Sequence, residues 1–221
     1  AAVIFKKTQQ TLTRKPRCFG HTDVHQERTA STTMAQIYVV HGYTASPDEN
    51  WFPWIQEYAD QQKASLKVLR LDPSPTPTLE VWKRQMDEQV DEIDENTIFI
   101  AHSLGCIATL HFLTKKLKTQ KIKQVVLVAG FNGRLGRLDE VNPFIDACKI
   151  DFDLLKRQIA HRVVIYSAGD DRVLPKFSLE QARSLDARII EAQHQGHFID
   201  SQGCTELVEV WQAILPHIIV E

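Results

Sequence analysis

The sequence predicts an α/β fold: a doubly wound, mostly parallel sheet of about six strands with helices on both faces. Three observations point there. From Met34 onward, short runs rich in Val, Ile and Leu alternate with stretches of helical spacing. The runs lack clean apolar–polar alternation, as expected of strands buried on both faces. The turns between them are short, as in a parallel sheet whose strands are joined by right-handed crossovers.

Taken in order, the strand candidates are Gln36–Val40, Leu66–Leu71, Thr97–Ala101, Gln124–Ala129, Arg162–Ser167 and Arg188–Ala192. Helix candidates are Trp54–Gln62, Leu79–Ile93, Leu104–Leu117, Lys176–Ser184 and Thr205–Ile214. In the second of these, Val81, Met86, Val90 and Ile93 form an apolar stripe at helical spacing. Pro73, Pro75 and Pro77 make a stiff connector that excludes helix. Residues 131–160 break the rhythm, with Gly133, Gly136, Pro143 and several charges. A connection of that length is usually functional, and its place after the fourth strand suits a cap segment.

The 221 residues suffice for one α/β domain over 34–221, and no repeat or linker divides it. A formal net charge of -2 argues against nucleic-acid binding as the main task. No apolar run approaches the roughly 20 residues of a membrane helix. The four cysteines (Cys18, Cys106, Cys148, Cys204) lack metal-binding spacing, and reduced thiols in a cytoplasmic protein are the expected state. Residues 1–33 form a basic leader with six Lys or Arg against two acids, while the remainder carries 20 basic and 26 acidic residues. The leader is read as non-native or poorly ordered sequence before a start at Met34. A targeting segment and an ordered extension are the other readings.

The chemistry enters at Ile98–Cys106, where an apolar strand ends at Ser103 between small residues and a helical pattern begins at once. This small-x-Ser-x-Gly form is a nucleophile elbow, the strand–turn–helix of an α/β-hydrolase fold. Ala101 and Gly105 leave room for strand and helix backbones to approach, and the turn lifts the Ser103 hydroxyl above the sheet. A serine hydroxyl needs a base, itself oriented by an acid, and in this fold the chain order is Ser, acid, His. His197, in the loop after the last strand, is the expected base, with His194 of the same loop as its rival. The acid should follow the preceding strand, where Asp170 and Asp171 stand side by side. Asp171 is the expected partner of the imidazole and Asp170 the reserve, the other aspartate being a turn residue.

After the first strand, His41-Gly42-Tyr43-Thr44-Ala45 is placed to supply an oxyanion hole. The backbone N–H of Tyr43 or Thr44, together with that of Leu104, is expected to face the developing negative oxygen. His41, Gly42, Trp51 and Phe131 are candidate substrate-pocket residues.

His41-Gly42-Tyr43 with Trp51-Phe52-Pro53-Trp54, Ala101-His102-Ser103-Leu104-Gly105, Asp170-Asp171 with Pro175, and Gly196-His197-Phe198 together resemble one family. It is that of the small serine hydrolases related to retinoblastoma-binding protein 9 and the bacterial YdeN proteins. The resemblance spans nearly the whole chain except the leader, which has no counterpart in it. It implies a compact α/β-hydrolase whose Ser–Asp–His triad maps to Ser103, Asp171 and His197. The expected function is hydrolysis of a small carboxylic ester, thioester or amide through an acyl-enzyme on Ser103. No metal and no organic cofactor is called for. The expected partner is a small-molecule acyl substrate, with no nucleic acid and no membrane; the sequence names no protein partner. A non-catalytic binding or regulatory protein on the same fold, and an acyltransferase, are the competing readings.

Overall fold

The computed structural model describes residues 35–194 and 196–218. The basic leader lies outside the described residues. The elements run β1 (Gln36–Val40), α1 (Phe52–Gln61), β2 (Ser65–Leu69), α2 (Leu79–Gln89), β3 (Ile98–His102), α3 (Leu104–Lys116) and β4 (Ile122–Val128). They continue with α4 (Asn142–Ala147), α5 (Phe152–Gln158), β5 (Ile159–Tyr166), α6 (Pro175–Leu185), β6 (Arg188–Glu191) and α7 (Val208–Ile218). The six strands form one sheet in the order β2-β1-β3-β4-β5-β6, and every neighbouring pair is parallel.

Side chains that alternate along the strands feed two separate cores. Tyr38, Val40, Phe99, Ala101, Val125 and Leu127 enter one, beneath α2, α3 and α6. Ile37, Val39, Ile98, Ile100, Val126 and Val128 enter the other, beneath α1 and α7. Successive side chains of a strand point to opposite faces, so a sheet covered on both sides has no polar positions to show. The missing alternation in the sequence has this cause.

Boundaries shift where a specific contact outweighs the local pattern. α1 begins at Phe52, ahead of the expected Trp54, because Pro53 fits the first helical turn, where its missing N–H costs nothing. α2 stops at Gln89, short of Ile93. Beyond it the Tyr38 hydroxyl accepts the N–H groups of Asp91 and Glu92 and donates to the Glu92 carbonyl, holding the chain in non-helical form. α7 runs through Pro216 to Ile218, past the expected end at Ile214. The stretch 131–160 holds α4, α5 and the first two residues of β5. Arg134 pairs with Asp146 across it, and Phe144 packs edge-on against Trp82 of α2.

The chain passes from β1 outward to β2 and then returns across β1 to β3. That reversal of strand order is where ligands settle in open α/β sheets, beyond the carboxyl ends of the strands. Among the described residues no helix is long and apolar enough to cross a membrane. Cys106, Cys148 and Cys204 are free thiols.

Candidate active site

Ser103 sits between β3 and α3 with φ 53 and ψ -123. A non-glycine residue in this region is strained by about 1–3 kcal/mol and persists only where its surroundings enforce it. Here the Ser103 N–H donates to the Val128 carbonyl at 2.9 Å, and the Cys106 N–H donates to the Ser103 carbonyl at 2.9 Å. No backbone group is capped by the Ser103 side chain, so its hydroxyl is available for other work.

That hydroxyl lies 2.9 Å from His197 Nε2, and His197 Nδ1 lies 2.8 Å from Asp170 Oδ2. A carboxylate oxygen accepts, so Nδ1 carries the ring proton and Nε2 is left to accept from the serine. All three side chains are buried. Asp170 Oδ1 accepts the backbone N–H groups of Arg172 and Val173, each at 2.9 Å.

Asp170, and not Asp171, therefore faces the imidazole. Asp171 is exposed, one residue further round the turn, and only its backbone carbonyl is engaged, accepting from Arg137 at 2.7 Å. The sequence reading assigned the turn and the imidazole to different aspartates. One carboxylate does both, because its two oxygens point to different partners. His194 lies in the same loop as His197, with its ring against Phe198.

The backbone around His197 is held by side chains from three other places in the chain. The Gly196 N–H donates to Ser167 Oγ at 2.9 Å, and the His197 N–H donates to Gln202 Oε1. The His197 carbonyl accepts from His102 Nε2 at 2.8 Å. Ser167 Oγ also accepts the Gly169 N–H at 3.2 Å, so one hydroxyl ties the loop of Asp170 to the loop of His197. Ser167 was visible in sequence only as the last residue of a strand. Nothing in the sequence marked Gln202.

Ser103, His102 and His197 border a cavity of about 220 Å³. Gly42, Tyr43, Ala45, Glu49 and Asn50 line it from the β1–α1 loop, Leu138 and Arg172 from across, and Ile199 and Asp200 from the loop after His197. Asn50 and Asp200 fasten two of these walls, each donating its backbone N–H to the other's side chain. From the stretch 131–160, Leu138 reaches the cavity.

Of the expected pocket residues, Gly42 lines the cavity and three do not. His41 is buried outside the lining: Nε2 accepts the Leu71 N–H at 3.1 Å, which leaves Nδ1 to donate to the Gly42 carbonyl at 2.9 Å. Trp51 and Phe131 are core residues, because the sheet's two faces absorb the large apolar side chains nearby. Thr44 also departs from expectation. It lines the cavity, but its N–H donates to the Ser74 carbonyl at 3.1 Å and is not free for an oxyanion. Tyr43 lines the cavity, and its hydroxyl donates to Glu140. Leu104 opens α3, where its N–H has no acceptor within the helix. Gly42 lies beside the nucleophile and the Leu104 N–H: a Cβ on it would stand 3.0 Å from Ser103 Cβ and 3.6 Å from the Leu104 nitrogen.

A serine on a strained strand-to-helix turn, at the carboxyl edge of a parallel sheet and in line with an imidazole and an acid, is the α/β-hydrolase arrangement. The chain belongs to the serine hydrolase family, whose sequence model matches residues 37–215. It is 33% identical over 180 residues to YdeN of Bacillus subtilis (strain 168), covering 81% of this chain and 94% of that protein. It is 26% identical over 188 residues to serine hydrolase RBBP9 of Rattus norvegicus, covering 84% and 97%. The crystal structure of the B. subtilis ydeN gene product matches with a TM-score of 0.79 at 32% identity, over 83% of this chain and 98% of that one. Est1E from Butyrivibrio proteoclasticus, at 15% identity and a TM-score of 0.62 over 84% and 88%, shares the fold. Family and fold together make this chain a hydrolase.

Two buried histidines near the site give stability a pH dependence. Burial lowers the pKa of His102 to about 3, with the neighbouring His197 adding to the effect, and burial also lowers that of His41. In the unfolded chain both titrate near 6.5. Between the folded and unfolded values the unfolded chain binds more protons, so their contribution is complete above about pH 6.5 and is lost as pH falls. Urea unfolding of wild type and His102→Gln at pH 7, 6, 5 and 4 isolates the His102 share. The free-energy difference between them is expected to change by about one proton's worth per pH unit below pH 6, against the wild type. A difference that stays flat would show that His102 is not held neutral.

Proposed function

We propose that this chain is a carboxylesterase-like serine hydrolase that cleaves a small carboxylic ester, or a related thioester or amide, through an acyl-enzyme on Ser103. The observation carrying this reading is the unbroken line Asp170–His197–Ser103, whose last two members border a cavity. A volume of about 220 Å³ suits a short acyl group.

His197 Nε2 takes the Ser103 proton as Oγ bonds to the substrate carbonyl carbon, and the carbonyl electrons move to oxygen. The backbone N–H groups of Tyr43 and Leu104 receive that oxyanion; one such donor is typically worth about 100- to 1,000-fold in rate. Asp170, facing Nδ1, stabilises the imidazolium. The imidazolium then protonates the leaving alcohol as the carbonyl re-forms. Water repeats the sequence, giving its proton to His197 and its oxygen to the acyl carbon, and Ser103 recovers the proton as the acid departs.

A fluorophosphonate activity probe tests the reading. Wild-type protein is expected to label covalently, and Ser103→Ala to show none while melting at a similar temperature. A folded wild type that never labels would make this a binding protein on a hydrolase fold. Among p-nitrophenyl esters of increasing acyl length, kcat/KM is expected to be highest for the shortest chains.

A further inference from the structure

We propose that His102 is a positioning residue for the catalytic base, holding His197 by its backbone while Ser103, the next residue along, engages its ring. This rests on the reading of Ser103 and His197 as nucleophile and base.

The geometry is a closed circuit. Ser103 Oγ meets His197 Nε2 at 2.9 Å, and His102 Nε2 meets the His197 carbonyl at 2.8 Å. A carbonyl only accepts, so His102 carries its proton on Nε2. One dipeptide therefore grips the base at its side chain and at its main chain, and the distance between nucleophile and base is fixed from both ends.

The grip is rigid on the His102 side. Its ring is fully buried and meets the rings of Trp51 and Phe52 edge-on, with centroids 6.2 and 6.3 Å away. It also tilts against the His197 ring at 5.0 Å. These contacts hold the plane of the ring, the Nε2 contact to the His197 carbonyl sets which way it faces, and its backbone belongs to the central strand β3.

Packing alone does not account for a histidine here. His102 Nδ1 is buried without a hydrogen-bond partner, and an apolar side chain of the same size would avoid that desolvation cost. What the position gains from histidine is the Nε2–H aimed at His197. The titratable or charged groups acting on the ring are His197, His41 and Arg172. A second positive charge 5 Å from His197 would oppose the imidazolium formed during the reaction. A neutral donor does not.

The consequence is catalytic because misplacing a reacting group by about 1 Å can cost about 100-fold. Glutamine places an N–H donor near the position of Nε2; methionine has similar length and no donor. With p-nitrophenyl acetate, His102→Met is expected to lose about 30- to 100-fold in kcat with KM within about twofold. His102→Gln is expected to recover most of that loss, the two variants melting within a few degrees of each other. Equal kcat for the two variants would overturn the proposal while leaving wild-type turnover, and so the hydrolase reading, intact. A wild type with neither turnover nor fluorophosphonate labelling would instead remove the hydrolase reading and this one with it. Should the variants fail to fold, ¹⁵N NMR of histidine-labelled wild type decides. His102 is expected to keep a protonated Nε2 and a bare Nδ1 from pH 5 to 8, and the opposite tautomer or a titration in that range would overturn the assignment.

Discussion

Asp170→Asn is expected to lower kcat by about 10³- to 10⁴-fold, and Asp171→Asn to leave it within about threefold. The two residues are adjacent and chemically identical, so the contrast isolates placement. Asp170 Oδ2 accepts the His197 Nδ1 proton, and its other oxygen accepts two backbone N–H groups. An asparagine can keep its oxygen on those N–H groups, which preserves the turn. Its NH₂ then faces Nδ1, which must become the acceptor. The ring proton moves to Nε2, and the base can no longer accept from Ser103. The imidazolium also loses its counter-charge. Asp171 has no such part, since its side chain is exposed and its carbonyl, unchanged by the substitution, is what meets Arg137. Turnover and the rate of fluorophosphonate labelling measure the effect, and melting temperature checks the fold. Equal losses, or the larger loss at Asp171, would return the acid's role to the residue the sequence favoured.

That reversal marks the limit of the sequence as a guide. Ser103 and the loop of His197 were legible because each follows directly from a strand end, and strand ends follow from apolar runs. The choice between Asp170 and Asp171 depends on φ and ψ within a tight turn, where one residue of advance swings a side chain from buried to exposed. No periodicity reports that. The pocket was misread for a related reason. Trp51 and Phe131 are large and near the elbow, but a sheet covered on both faces draws such side chains into its two cores. Beside Tyr43, Leu138 and Ile199, the cavity walls are small or polar groups such as Ala45, Asn50 and Asp200, which carry no signal of their own. The same holds for Ser167 and Gln202, which act only on backbone groups brought near by the fold.

Gly105 carries the largest structural consequence. Its place two residues after Ser103 in the small-x-Ser-x-Gly pattern implied a close approach, and the structure supplies the partner. A Cβ on Gly105 would lie 2.4 Å from the His41 carbonyl oxygen and 2.5 Å from that of Val40. Both are backbone atoms at the carboxyl end of β1, which is paired on both sides, to β2 and β3. No rotamer relieves such a clash, so either α3 lifts from the sheet or β1 bends away. Overpacking usually costs about 1–3 kcal/mol, and a collision with central-strand backbone belongs at or above the top of that range. Gly105→Ala is therefore expected to lose about 3 kcal/mol or more, roughly 6–12 °C in Tm for a domain of this size. Gly133→Ala, where nothing lies within 4 Å of the new methyl, is expected to stay within about 0.5 kcal/mol. Urea and thermal unfolding of the two variants measure both. A Gly105→Ala protein that melts with the wild type would mean that strand and helix can separate at no cost. The molecule that does fold is also expected to be a poor enzyme. Relief of the clash at His41 displaces the next residues, Gly42 and Tyr43, from Ser103, and the expected oxyanion donor moves with them.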